Sequence, residues 1–223
     1  MHLLLTTNFY RRFITALIFG SAFWAIFAYL PPIIFSATLA LILGLIITCE
    51  WIHFFPITHK SFWLSLPVYP TLPFLLLIHM NHMPAYRYLL FLLFILVFSF
   101  DTGSYIIGSL WGRHPICRHI SYHKTWEGFW GGYFFATIGL FFILWEQHIT
   151  QSWGTIFLFT FLICILSLCG DLFESWLKRR AGIKDSGSLL PGHGGFLDRF
   201  DGILFAVFFF YFFRNQLILL FPA

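Results

Sequence analysis

Residues 154–174 read "GTIFLFTFLICILSLCGDLFE", an apolar run that ends in two acidic side chains. A helix needs about 20 mainly apolar residues to cross the hydrocarbon core of a bilayer, and this stretch is long enough. The whole chain has the same character, since 59% of its 223 residues are hydrophobic and only 10% are charged. Soluble domains carry about 25% charged residues. The composition excludes a soluble domain and predicts an all-α, polytopic integral membrane protein.

Other apolar runs of similar length occur along the chain, and together they predict about seven transmembrane helices. Pro67, Pro70 and Pro73 weaken the third of these spans, because proline interrupts helical hydrogen bonding. No small-residue cleavage site follows the first run, which favours a retained helical hairpin over a signal peptide. We expect one membrane domain, residues 1–223, with spans at residues 13–30, 32–49, 61–79, 87–111, 128–145, 154–174 and 203–221.

The basic residues orient these spans. With the N-terminus in the cytoplasm, all of the 13 Lys and Arg residues except Arg87 and Arg214 fall on the cytoplasmic side. The positive-inside rule predicts this orientation. The formal net charge of +4 is therefore mainly a topology signal, and no nucleic-acid partner is expected.

The nine acidic residues mark candidate functional segments more sharply than the basic ones. Glu50 and Glu146 lie at the ends of predicted spans, where ordinary interfacial residues are expected. Ionisable residues inside membrane spans are costly and usually face a cavity or a partner at a functional site. The other acidic residues fall in or beside three polar segments near the predicted cytoplasmic face: Asp101, Glu127, Asp171, Glu174, Asp185, Asp198 and Asp201.

Residues 171–184, "DLFESWLKRRAGIK", leave the sixth predicted span. On a continuing helix, Asp171, Glu174, Ser175 and Lys178 would share one face. A simpler interpretation is a helix end with snorkelling cations and an ion pair between Glu174 and Lys178.

Residues 184–202, "KDSGSLLPGHGGFLDRFDG", combine glycine with charge. Glycine lets the backbone approach a ligand closely, and N–H groups in such turns can hold an anion. Asp198 and Asp201 open the seventh span, and with Asp171 they supply the hard oxygen ligands that suit Mg²⁺ together with substrate phosphates. Carboxylates also stabilise a helix N-terminus, which explains one of the two residues more readily than both. The pattern indicates phosphate chemistry at a membrane surface.

At these residues the chain resembles a known family, the phosphatidate cytidylyltransferases, also called CDP-diacylglycerol synthases. The shared pattern is Ser-x-x-Lys-Arg, four residues, Lys-Asp-x-Gly, and then Leu-Pro-x-His-Gly-Gly-x-x-Asp-Arg-x-Asp. The chain fills every position of it, with Ser175, Lys178, Arg179, Lys184, Asp185, Gly187, Leu190, Pro191, His193, Gly194, Gly195, Asp198, Arg199 and Asp201.

Two further stretches resemble the same family. Residues 101–108, "DTGSYIIG", resemble its intramembrane segment, which implies that Asp101 and Tyr105 face the site. Residues 121–132, "SYHKTWEGFWGG", resemble its Ser-Pro-Lys-Lys-Thr-x-Glu-Gly segment, although Tyr122 replaces the proline and His123 replaces a lysine.

The resemblance is convincing from about residue 95 onward, and before that only hydropathy agrees. The chain is short for this family, and we expect the difference to lie at its N-terminal end. The implied organisation is a set of N-terminal helices, residues 1–90, followed by a catalytic region, residues 95–223.

The resemblance implies transfer of a cytidylyl group from CTP to phosphatidic acid, giving CDP-diacylglycerol and pyrophosphate in phospholipid biosynthesis. It also implies a multi-pass protein of a bacterial inner membrane, in contact with membrane lipids, with the active site facing the cytoplasm. A homodimer is the oligomeric state that the family suggests.

The resemblance also suggests residue roles. Asp171 and Asp198 are expected to bind Mg²⁺, with Asp201 as a further candidate ligand and a second, monovalent cation left open. The catalytic candidates are Asp171, Asp198, Lys184, Asp185 and His193, and His193 is expected to position or bind phosphate rather than act as a nucleophile. The substrate-binding candidates are Ser121, Lys124, Ser175, Lys178, Arg179, Gly194, Gly195 and Arg199.

Three alternatives stay open. A CTP-dependent transferase that acts on another lipid phosphate would carry the same motif. A small transporter or channel would also place carboxylates in the membrane, but it would not need the basic and glycine-rich cluster on one face. A non-catalytic membrane scaffold would fit the departures at Tyr122 and His123 and would lack Mg²⁺-dependent activity.

Overall fold

The computed structural model describes residues 17–190 and 194–222. Within them the chain is almost entirely helical, as predicted, and one short antiparallel hairpin of two strands, which the sequence did not indicate, follows the sixth helix. The strands are β1 (Pro115–Cys117) and β2 (Ser121–Thr125), and π-helical turns occupy Ile46–Glu50 and Pro67–Thr71. The helices are α1 (Leu17–Tyr29), α2 (Pro32–Leu45), α3 (Trp51–Phe54), α4 (Lys60–Ser65), α5 (Leu72–His82), α6 (Pro84–Trp111), α7 (Trp126–Glu146), α8 (Trp153–Arg180), α9 (Leu197–Phe212) and α10 (Arg214–Leu220).

Several helical segments are long and apolar enough to cross a membrane, which confirms the predicted multi-pass, all-α class. Five such segments lie in the described part of the chain: Pro32–Phe54, Lys60–His82, Pro84–Trp111, Trp126–Glu146 and Trp153–Arg180. The bent pair α9 and α10 is long and apolar enough only when taken together, as a broken span or a re-entrant loop, and α1 is a shorter apolar helix. This set agrees with about seven predicted spans, while the orientation of the N-terminus stays a prediction.

The last predicted span, residues 203–221, is not one straight helix. The chain bends by 83° between α9 and α10. At the bend, the Arg214 guanidinium lies 4.5 Å from the centre of the Tyr211 ring, and its Nη1 donates to the Tyr211 carbonyl at 2.7 Å. The last carbonyls of a helix lack intrahelical donors, so this arginine stabilises the early end of α9.

The third span is interrupted where its prolines predicted a weakness. The π-helical turn Pro67–Thr71 contains Pro70, and the backbone of Tyr69 is extended there, with φ −149° and ψ 117°. Proline has no N–H to donate to the preceding turn. The span therefore consists of α4 and α5 joined by an irregular turn.

The chain forms two compact units, each made of two stretches. Unit 1 comprises Met1–His82 and Leu177–Phe200, and unit 2 comprises Met83–Trp176 and Asp201–Ala223. Residues 177–200, which carry most of the motif, thus group with the N-terminal helices. The expected division into residues 1–90 and 95–223 stays a prediction.

Candidate active site

In unit 2, a group of charged side chains gathers where α8 meets α9. We call Lys124, Asp171, Glu174 and Asp201 the acidic cluster. Asp171 and Glu174 lie one turn apart on α8, and Asp201 lies in the second turn of α9. The helices can touch here because residue 170 is glycine: a Cβ at this position would collide with the carbonyl oxygen of Asp201.

The side chains of the acidic cluster interact directly. Lys124 forms an ion pair with Asp171. Asp201 is 8% exposed and Glu174 is fully buried, and Asp201 lies close enough to Asp171 and Lys124 to interact electrostatically with both. Carboxyl groups this close to one another cannot all be ionised without a neutralising partner. The acidic cluster is therefore chemically suited to attract a cation beyond Lys124.

The donor set is compatible with Mg²⁺ but does not form a complete protein cage. Among residues 17–190 and 194–222, no group of three or more His, Cys, Asp or Glu side chains is arranged to hold a metal ion. Mg²⁺ commonly binds one or two carboxylates and takes its remaining ligands from water and substrate phosphates. The acidic cluster fits this mode of binding, in which water and substrate phosphates complete the ligands of the metal.

Lys124 reaches the acidic cluster from strand β2, and the surrounding motif residues anchor that strand. Glu127 accepts hydrogen bonds from the backbone N–H groups of Arg113 at 3.1 Å and His114 at 3.2 Å. Thr125 Oγ1 accepts from the Gly128 N–H at 3.2 Å and so caps α7. Glu127 and Thr125 thus have structural roles that hold the hairpin and place Lys124.

The two departures from the family pattern lie on the outside of the same hairpin. Tyr122 is 70% exposed, and His123 is also exposed. Ser121, a predicted substrate-binding residue, is half-buried at the start of β2. The replacements therefore leave the anchoring of Lys124 unchanged.

In unit 1, Asp198 organises the glycine-rich loop. We call Glu50, Lys178, Ser186, Gly195 and Asp198 the loop cluster. Asp198 Oδ1 accepts from Lys178 Nζ at 2.6 Å. Its Oδ2 accepts from the Ser186 N–H at 3.1 Å, the Ser186 hydroxyl at 2.9 Å and the Gly195 N–H at 2.8 Å. Both oxygens of this carboxylate are therefore engaged by donors.

Gly194 shows why the motif requires glycine beside Asp198. Its φ is 80°, a left-handed conformation that is open to glycine at little cost. A Cβ at this position would also lie 2.5 Å from Asp198 Oδ2. Any larger residue would push the loop away from the carboxylate.

Glu50 is the functional candidate that the sequence missed. We predicted an ordinary interfacial residue, and this was wrong: Glu50 is 0% exposed, whereas Glu146 is exposed as expected. Glu50 ends the π-helical turn Ile46–Glu50. A π turn inserts a residue into the helix and shifts the following side chains to another face, so α-helical periodicity could not place Glu50.

The predicted site residues fall into both units. Lys184, Asp185, Arg179 and Arg199 are exposed, and His193 lies outside the described residues. Because Asp171 and Asp198 belong to different units, a metal ion bound by both stays a prediction. Unit 2 holds Ser121, Lys124, Asp171, Ser175 and Asp201, and unit 1 holds Lys178, Arg179, Lys184, Asp185, Gly194, Gly195, Asp198 and Arg199.

Comparison with known proteins assigns the chain to a family. The profile of the Cytidylyltransferase family matches residues 13–217. The chain belongs to the cytidylyltransferase family. This match covers most of the 223 residues, and it confirms the resemblance that the motif from Ser175 to Asp201 indicated.

Curated phosphatidate cytidylyltransferases from staphylococci are similar in sequence to about half of this chain. The phosphatidate cytidylyltransferase of Staphylococcus haemolyticus is 43% identical over 114 residues, which are 51% of this chain and 44% of that protein. The phosphatidate cytidylyltransferase of Staphylococcus epidermidis is 41% identical over 121 residues, 54% of this chain and 46% of that protein. That of Staphylococcus aureus is 41% identical over 118 residues, 51% and 44% respectively. The chain spans about half the length of the curated relatives it matches.

Proposed function

We propose that this chain is a phosphatidate cytidylyltransferase that transfers a cytidylyl group from CTP to phosphatidic acid in a bacterial inner membrane. The observation that carries the proposal is the acidic cluster: carboxylates on two helices gather beside a lysine from strand β2, in a chain of the cytidylyltransferase family. Such a cluster suits polyanionic phosphates only together with cations. The relatives named phosphatidate cytidylyltransferase support the choice of substrates.

The reaction is an in-line displacement at phosphorus. A phosphate oxygen of phosphatidic acid attacks the α-phosphorus of CTP and forms a new P–O bond, while the bond to the β-phosphate breaks and pyrophosphate leaves with its electron pair. A phosphate monoester has a second pKa of about 6 and is ionised at neutral pH, so no general base is required. Positioning and charge neutralisation should therefore supply most of the catalysis.

Asp171 and Asp201 are the residues of unit 2 that would hold Mg²⁺. The metal would supply positive charge for the phosphates and stabilise the leaving group. Lys124, the partner of Asp171, would remain next to the bound phosphates as a further positive charge. A second, monovalent cation stays a proposal with no separate support.

Asp198 stays a proposed metal ligand with a condition attached. Its Oδ1 is occupied by Lys178 and its Oδ2 accepts three hydrogen bonds. Direct coordination through Oδ1 would displace Lys178, which would then be released to bind a phosphate oxygen. The exposed Arg179, Lys184 and Arg199 are the other cations proposed to bind substrate.

Incorporation of radiolabelled CTP into lipid tests the proposal. The full chain, purified in detergent, is incubated with phosphatidic acid, with other lipid phosphates or with no lipid, and with Mg²⁺ or EDTA. We expect labelled CDP-diacylglycerol only with phosphatidic acid and Mg²⁺. Labelling of another lipid phosphate would reassign the substrate, and no labelling of any lipid would remove the enzyme assignment in favour of a scaffold or transporter.

A further inference from the structure

Glu50 is a buried carboxylate at a position where the sequence predicts an ordinary interfacial residue. It lies within the membrane-crossing segment Pro32–Phe54, four residues from its end, and it is fully buried. An isolated buried charge is strongly unfavourable unless hydrogen bonds satisfy its oxygens. Groups around Glu50 therefore have to stabilise its negative charge, and the identity of these compensating groups indicates the role of Glu50.

The first compensating groups are backbone amides at the start of α9. Glu50 Oε1 accepts from the Phe196 N–H at 2.7 Å, and Oε2 accepts from the Leu197 N–H at 2.9 Å. The first N–H groups of a helix have no intrahelical acceptor and form the positive end of the helix dipole. Glu50 thus caps α9 from a distant part of the chain.

The second compensating group is Ser186, which connects Glu50 to Asp198. The Ser186 hydroxyl lies 3.0 Å from Glu50 Oε2 and 2.9 Å from Asp198 Oδ2, and Ser186 is itself fully buried. His53, one turn after Glu50, places its Nδ1 3.2 Å from the Ser186 carbonyl oxygen. Ser186 therefore contacts residues from both stretches of unit 1, Glu50 and His53 from the first and Asp198 from the second.

Two glycines of the motif leave room for the Glu50 side chain. A Cβ at Gly187 would lie 3.0 Å from Glu50 Cγ, and a Cβ at Gly195 would lie 2.5 Å from Glu50 Cδ. The loop closes around Glu50 on the side of residue 187 and on the side of residue 195. Part of the glycine pattern thus follows from the presence of this carboxylate rather than from a ligand.

We propose that Glu50 is a positioning residue for the nucleotidyl transfer. It holds residues 184–190 and 194–197 in the conformation in which Asp198 faces Lys178, and it acts through Ser186 and the α9 amides. This inference rests on the proposed function, because positioning has meaning only for a reaction at the loop. Its physical content, the fixing of the loop by Glu50, can be tested separately.

Kinetics of Glu50→Gln provide the first readout. Glutamine keeps the shape but turns an NH₂ group toward donors, so the loop loses one of its acceptors. We expect kcat for CTP incorporation to fall about 10- to 100-fold, the range found for residues that orient the groups around a bound metal ion. The effect of Glu50→Gln should not add to that of Ser186→Ala, because residues that act through one network are coupled.

Two control variants separate positioning from general damage. Glu146→Gln changes an exposed acidic residue at another helix end and should leave kcat unchanged. Asn81→Ala removes a buried side chain of unit 1 that donates to Pro32 O at 2.7 Å and Ser36 Oγ at 2.9 Å. It should lower the unfolding temperature without lowering kcat per folded molecule.

Trypsin cleavage after the exposed Lys184 is the second readout and does not depend on activity. We expect Glu50→Gln to be cut at this site faster than the wild type, because the loop opens locally more often, while Asn81→Ala is cut at the wild-type rate. If the wild type proves inactive but Glu50→Gln is still cut faster than the wild type, the proposed function fails, while the fixing of the loop by Glu50 stands. In an active enzyme, wild-type kcat or wild-type cleavage in Glu50→Gln would overturn the inference.

Discussion

At the scale of single residues, Asp198 combines a structural duty with a proposed chemical one. Its carboxylate accepts hydrogen bonds from the Lys178 ammonium group, from two backbone N–H groups and from the Ser186 hydroxyl. Charge-assisted hydrogen bonds of this kind are about twice as strong as neutral ones. The loop is therefore organised around a negative charge, and a neutral isostere should not replace it.

The variant Asp198→Asn tests this requirement. An amide offers one acceptor oxygen instead of two, so either the contact with Lys178 or the contacts with Ser186 and Gly195 must be lost. We expect CTP incorporation to fall by at least about 100-fold, while the variant still elutes from size exclusion like the wild type. A rate close to that of the wild type would contradict both duties of Asp198.

Asp201 allows a test of the proposed metal at the residue scale. Asp201→Asn keeps an Oδ1 that can accept from the Gly202 N–H, as it does at 2.8 Å in the parent, but it removes one negative charge from the acidic cluster. We expect the Mg²⁺ concentration for half-maximal rate to rise about 10-fold, with recovery at high Mg²⁺. Titration of activity with Mg²⁺ measures this, and an unchanged midpoint would exclude Asp201 as a ligand.

At the scale of elements, the contact of α8 with α9 in unit 2 depends on small residues. A Cβ at Gly170 would meet Gly202 Cα at 3.1 Å in addition to the Asp201 carbonyl, and a Cβ at Gly202 would collide with Ser167. Small residues let helices in membranes approach closely and pack by van der Waals contact. The acidic cluster forms because this approach brings Asp201 to Asp171.

Gly170→Ala should separate α8 from α9. Overpacking of a close contact costs about 1–3 kcal/mol, so we expect a lower unfolding temperature in detergent together with a loss of activity. Gly154→Ala on the same helix is the matched control, since its Cβ would meet only Ser152 Oγ at 3.9 Å. Equal effects of the two substitutions would show that the contact does not matter.

At the scale of the whole molecule, hydropathy predicted most of the fold because each span is a local property of about 20 residues. The carboxylates of α8 and α9 could likewise be picked out, since acidic residues are rare in such a chain. Glu50 could not, because a π turn changes its face and its partners lie in a loop more than 130 residues later. The bend at Phe213 was missed because hydropathy makes residues 203–221 one apolar run and does not show that Arg214 binds the carbonyl of the preceding turn.

The membrane orientation of the molecule remains a prediction of its basic residues and can be tested with cysteine labelling. In a background without native cysteines, Ser188→Cys and Gln147→Cys place exposed thiols on opposite predicted sides. A membrane-impermeant maleimide should label Ser188→Cys only from the cytoplasm and Gln147→Cys only from the other side. The reverse pattern would invert the predicted topology.

The early end of α9 has a mechanical consequence for the surrounding lipid. With 16 residues before the bend, this helix is about 24 Å long, whereas the hydrocarbon core of a typical bilayer is about 30 Å thick. A helix that is too short makes the adjacent acyl chains compress or draws its polar end inward. We expect this adjustment next to the bend, where the Phe212 side chain is exposed, and not along the rest of α9, most of which is buried in the protein.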